Sequence, residues 1–147
     1  MAKISFEGFE SYKDMISSIE TNTLNIIKPA VYDGAAIVAD EVKRNLRRVV
    51  SPKARGDLER SMGLSEMRES FGFVHTKLGF SGYDRAGHPN ILKARALERG
   101  RKDQPGRKKK PFIAPAVKAV KERAEETMRD TVDRQIRSIM NENTKEG

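Results

Sequence analysis

Two runs of apolar residues at helical spacing constrain this chain more than any other feature. In the first, Phe9, Tyr12, Ile16, Ile19 and Thr23 lead in the same rhythm into Leu24, Ile27, Val31, Ala35, Val38, Val42, Leu46 and Val49. In the second, Ile113, Ala116, Val117, Val120, Ala124, Met128, Val132, Ile136 and Met140 recur every three or four residues. This is the pattern of one buried helix face, so residues 9–50 and 111–141 read as helical. Pro29 fits either the first turn of a second helix or a kink in a continuous rod, and Gly34 costs about 1 kcal/mol relative to alanine. Pro52 drives Ser51 out of the helical region, so the first helix ends near Val50. Pro111-Phe112 opens the second. On its polar face Lys118 and Glu122, Lys121 and Glu125, and Arg129 and Asp133 are spaced to pair at i, i+4.

Neither helix is apolar all round, so each needs another layer to cover it. Residues 57–98 supply that layer. Val74, Thr76, Leu78 and Phe80 alternate with His75, Lys77 and Gly79, the period of a half-buried strand, and Gly72, Gly79, Gly82 and Gly87 provide turns. Asp57 to Met62 reads as a helical turn or a strand start, Ile91 to Leu97 as strand or short helix, and residues 3–7 as a short edge strand. Residues 99–110 hold no apolar side chain except proline, which makes them an exposed, extended loop. The expected fold is α+β: a single domain over residues 1–147, with two long amphipathic helices packed on a small antiparallel sheet. In its core Val31, Val38, Val42 and Leu46 should face Val117, Val120, Ala124 and Met128, above Val74, Leu78 and Phe80.

Composition narrows the chemistry. The 147 residues include no cysteine and two histidines, which excludes disulfides, thiolate zinc sites, thiol nucleophiles and multi-histidine metal centres. His75 and His88 have no evident catalytic partner, and Gly79-Phe-Ser-Gly82 is neither a nucleophile elbow nor a P-loop. Glu122, Glu125 and Glu126 fall on the solvated helix face. The expectation is no enzyme, no cofactor and no metal. No apolar stretch approaches membrane-spanning length and no signal-peptide core precedes the first helix, which points to a cytoplasm-like compartment. With 37% hydrophobic and 34% charged residues, the chain is polar for a globular domain and suited to ordering part of its surface against partners.

Charge is segregated along the chain. Residues 1–42 carry three lysines against seven acids, a net of −4; residues 43–110 carry 19 basic against 7 acidic side chains, +12; residues 111–147 balance at seven each. The excess forms two clusters. Lys43, Arg44, Arg47, Arg48, Lys53 and Arg55 follow the end of the first helix, where they either complement the helix dipole or bind a partner. Arg99, Arg101, Lys102, Arg107, Lys108, Lys109 and Lys110 crowd one loop, and seven cations in twelve residues call for phosphates or acidic side chains to neutralise them. Neither cluster contains a stacking aromatic, which disfavours a single-strand reader.

The order of features resembles a known family. Pro52 after the helix, Gly56-Asp-Leu58-Glu-Arg-Ser61-Met62, Lys77-Leu-Gly79, Leu97-Glu98-Arg-Gly100 and Pro111-Phe112-Ile113-Ala-Pro115-Ala116 are similar to the motifs of the tail-completion, or head-tail joining, proteins of long-tailed bacteriophages. The resemblance runs over about residues 3 to 140. Arg99 and Arg101 stand where that family carries an aromatic residue and a threonine. The resemblance implies a structural virion protein of the neck, assembled in the host cytoplasm into a homo-oligomeric ring, with a hexamer the expected form. Neighbouring connector and tail proteins would be its partners, and DNA would pass through the ring. The basic loop would then meet either packaged DNA or an acidic neighbour. The alternative, from the residues alone, is a small non-specific DNA-binding protein using the basic middle segment.

Overall fold

The computed structural model describes residues 22–51, 54–70, 73–101, 103 and 108–145. Along the chain these form α1 (Thr23–Val49), α2 (Asp57–Arg60), β1 (Met62–Leu64), β2 (Arg68–Ser70), β3 (Phe73–His75), β4 (Leu78–Phe80), α3 (Asn90–Arg99) and α4 (Ala114–Lys145). The class is α+β, two long helices with a small antiparallel strand set, as the periodicities require. The expected edge strand at 3–7 and the helical stretch 9–21 lie outside the described residues.

Helices α1 and α4 pack antiparallel as the most extensive contact in the fold. Asp33 meets Thr131, Gly34 meets Met128, and Asn45 meets Phe112. On α1 the buried residues are Ile26, Ala30, Gly34, Val42 and Leu46, with Val38 partly buried in the same row. On α4 they are Ala116, Val120, Ala124 and Thr131. The α1 row steps by four, and so does the α4 row from Ala116 to Ala124 and on to half-buried Met128 before a step of three to Thr131; i, i+4 rows are the ridges that interdigitate when two helices pack closely. Small side chains permit the approach: a Cβ on Gly34 would lie 2.6 Å from Met128 Cγ. The glycine that weakens α1 locally is thus the notch that receives Met128. The seam therefore differs from the apolar periodicity at two places. Val31 is only half-buried and Val117 is 42% exposed, because the buried row runs through alanine and glycine instead. Thr131, 3% exposed, is accommodated by donating its hydroxyl to Asp33 Oδ2 at 2.7 Å.

Pro29 lies inside α1, so the helix runs through it. Helix α4 begins at Ala114, three residues after Pro111. Phe112 does not extend the helical face; it drops into the core, fully buried, with its ring edge-on to Phe80 at 6.0 Å and 77°. The spacing-based ion pairs Lys118–Glu122, Lys121–Glu125 and Arg129–Asp133 are not formed among the described residues. Water competes well for such exposed groups.

The strands form one long hairpin. Met62↔Phe80, Gly63↔Gly79 and Leu64↔Leu78 pair at its base, and Arg68↔His75, Glu69↔Val74 and Ser70↔Phe73 pair farther out. Between them Ser65, Glu66 and Met67 stand opposite Thr76 and Lys77. That extra residue is a β-bulge, and it interrupts the strand expected to run unbroken from Val74 to Phe80. The base of the ribbon turns Met62, Leu78 and Phe80 inward onto Val42, Leu46, Leu58, Ala94, Phe112 and Ala116. The two ambiguous segments resolve as a helical turn followed by a strand at 57–64, and as helix at 90–99.

Candidate functional site

Several motif residues meet in one joint at the foot of the basic loop. The Glu98 carboxylate, near the end of α3, accepts the backbone N–H groups of Phe112 (2.7 Å), Ile113 (2.9 Å) and Ala114 (2.9 Å). Those donors open α4, so a side chain 14 to 16 residues upstream caps the longest helix where its dipole favours an anion. Burial alone would raise the Glu98 pKa, but the three N–H donors outweigh it and hold the carboxyl below the usual glutamate range. Asn45 on α1 donates to the Phe112 carbonyl, and the Lys110 N–H donates to Leu97 O at 2.8 Å. Gly100 turns out of α3 at φ +78°, a conformation strained for any other residue. The loop that follows thus leaves and returns at one closed base.

The remaining motif positions are structural around the same core. Gly56 is left-handed at φ +77° and starts α2, Leu58 is buried, and Ser61 returns its hydroxyl to Leu58 O. Ala116 is fully buried, while Pro111 and Pro115 are exposed about the start of α4. Gly79 lies on the outer side of the ribbon. Pro52 is outside the described residues.

Antiparallel packing sets the two basic clusters at the same end of the helix pair, because the last turns of α1 lie beside Phe112. Arg44 pairs with Glu41 and Arg47 with Glu59, both at 2.6 Å, and Arg101 pairs with Asp103 at 2.8 Å. Arg48, Arg55, Lys108, Lys109 and Lys110 form no ion pair among the described residues, and all five are exposed. Lys53, Lys102 and Arg107 are outside those residues. This end of the helix pair therefore presents at least five unpaired cations together.

A second feature, silent in the sequence, is an open cleft of about 330 Å³ between α2 and the start of α3. Its wall carries two acidic side chains, Asp57 and Asp84, and two basic ones, Arg60 and Arg85, with Ser61, Ser81, Tyr83 and Asn90 between them. Asp57 Oδ1 takes Arg60 Nη2 at 2.6 Å and lies 3.4 Å from Arg85 Nε. Asn90 is 3% exposed; its Nδ2 donates to Ser81 O at 2.9 Å, and its Oδ1 has no partner. Beside it Asp84 accepts Lys93 Nζ at 2.8 Å and the His88 N–H at 2.8 Å. Those donors, the lysine first, hold the Asp84 carboxyl down at about 2. His88 thus belongs to a turn, and His75 sits half-buried on β3. Arg60, Arg85 and Asn90 carry no motif or period that marks them along the chain; only folding gathers them. Among the described residues no cluster of metal-ligating side chains occurs, and no helix is long and apolar enough to cross a membrane. Compared with protein-family models, curated proteins and solved structures, the chain matches none.

Proposed function

We propose that this chain is a structural virion protein of the phage head-tail junction, a tail-completion or neck component that forms a homo-oligomeric ring around the path of the DNA. The observation that supports this reading best is the Glu98 joint. Residues that carry the family resemblance from two separate motifs, Glu98 and Pro111-Phe112-Ile113, act together in space through three hydrogen bonds. A chance scatter of similar residues would not be expected to interlock. The polar composition and thin core also suit a subunit that buries further surface against ring neighbours. An antibody to the purified chain should label the neck of negatively stained particles. Labelling absent from virions would contradict the proposal.

The convergence of both basic clusters at one end favours a second reading, sequence-independent binding of duplex DNA. Replacing Arg107, Lys108, Lys109 and Lys110 by glutamine separates the roles. For a neck protein whose loop docks a neighbour, the variant should melt as wild type does but join heads to tails only at low ionic strength. For a DNA-binding protein, wild-type affinity should fall with salt at a log-log slope of about −0.9 per phosphate contact, and the variant should show a shallower slope. Normal particle yields at physiological salt with the variant would leave the loop without a docking role.

A further inference from the structure

One side of α4 lies beyond the reach of its partner helix. Among the described residues α4 packs extensively on α1 alone, and the residues buried there form the seam row of Ala116, Val120, Ala124 and Thr131. One position on, a second apolar row begins. Val132, Ile136 and Ile139 are half-buried, and Glu125, Met128, Arg129, Val132 and Asp133 line an open groove of about 430 Å³. A step of one residue turns a helix by about 100°, and in an antiparallel pair it turns both rows to the same side. Leu24, 38% exposed, and half-buried Ile27 therefore flank the groove from α1. The opposite side of the pair is polar, with Asp33, Thr131 and Arg134 joined by hydrogen bonds.

The chain itself supplies an occupant of matching pattern, length and origin. Phe9, Tyr12, Ile16 and Ile19 repeat at helical spacing just ahead of α1. Helix α1 starts at Thr23, and its N-cap Asn22 stands at φ −101° and ψ 14°, outside the helical rod. The apolar row of residues 9–19 is thus set off from α1, and a segment that short holds a helix in water only by packing its apolar face on something. Thr131 opposite Asp33 sets Thr23 beside the last turns of α4, where the preceding residues arrive. A helix over residues 9–21 is about 20 Å long, which matches α4 from those last turns back to Met128. Attachment through Asn22 also holds the segment near the groove at about millimolar effective concentration or above, an advantage that a separate partner lacks.

We propose that residues 9–21, which lie outside the described residues, dock as an amphipathic helix in the groove of α4, antiparallel to α1, and complete a three-helix bundle at this end of the subunit. Phe9 and Tyr12 then lie toward Met128 and Val132, and Ile16 and Ile19 toward Ile136 and Ile139, the mode in which an apolar face at i, i+3, i+7 spacing fills an apolar groove. This docking is a property of the single subunit and stands apart from the ring reading.

The absence of cysteine permits spin labelling of the full chain at Asp14→Cys, off the apolar row, and at Glu126→Cys, exposed on α4. Pulsed dipolar spectroscopy should give a label separation of about 15–25 Å for the docked segment, against about 35 Å or more for one that runs on from α1 as a straight rod. The short distance should persist when the labelled chain is mixed with excess unlabelled chain. Its loss on mixing would assign the groove to the same segment of a second copy, and a long or broad distribution throughout would leave the groove without this occupant; either result overturns the proposal. Ile16→Asp, which lies in neither α1 nor α4, should keep a cooperative thermal melt and move the distance into the long range. A short distance unchanged by Ile16→Asp would show that apolar packing does not hold the segment, and would overturn the proposal as well.

Discussion

Phe112→Ala should cost about 3–5 kcal/mol of unfolding free energy, a large share of the margin of a domain whose total is of order 5–15 kcal/mol. Phe112 is fully buried and is one of the three largest side chains in that state, with Leu46 and Val42. Its ring abuts Phe80 on the ribbon, its carbonyl is held by Asn45 on α1, and its N–H is held by Glu98 on α3. Truncation would leave a cavity where four elements meet, and close-packed surroundings relax only partly into such space. Urea unfolding followed by circular dichroism should show the midpoint falling with little change in slope. A loss below about 1 kcal/mol would mean that the site collapses freely, against the packing described here.

Glu98→Ala should cost about 2–4 kcal/mol, because it removes a charged helix cap and strips three backbone N–H groups, one of them on fully buried Phe112, of their acceptor. On melting, that corresponds to a fall of roughly 4–16 °C for a domain of this size. The effect should depend on pH. Glu98 has a lower pKa folded than unfolded, so between the two values the unfolded chain binds more protons and stability rises with pH. Its contribution is complete above the ordinary glutamate value of 4.5 and is lost as pH falls through the depressed folded value. Wild type and Glu98→Ala should therefore differ most near neutrality and converge in acid. Asp84, held at about 2, likewise loses its own contribution only as pH falls toward that value. A gap between wild type and variant that stayed constant from neutrality into strong acid would show that the capping carboxylate contributes no charge-dependent stability.

How much of this was legible in the chain follows from range. The helices show themselves because each repeats a local period many times; the end of α1 before Pro52 and the half-buried alternation about Phe80 are equally local. The exact seam was not legible. Ala30, Gly34 and Ala124 bury as well as valine when two helices cross closely, but hydrophobic spacing weights them less, and so Val31 and Val117 looked like core. The bulge was hidden too, since alternation in one strand does not reveal an extra residue in the other. Glu98 stood out only through the family resemblance; its task depends on α4 starting 16 residues later. The cleft depends on Arg60, Arg85 and Asn90, which belong to three segments and share no pattern. The basic clusters were readable as charge, and only the antiparallel turn of α4 against α1 brings them to one end.

The central claim is that this chain builds a closed ring. Negative-stain imaging of the purified full chain at high concentration, with averaged end-on views, tests it most directly. The account predicts closed rings with a central channel, each subunit in a head-to-tail contact with the next. Particles that remain single subunits at every concentration, or that stop at two-fold dimers, would contradict it.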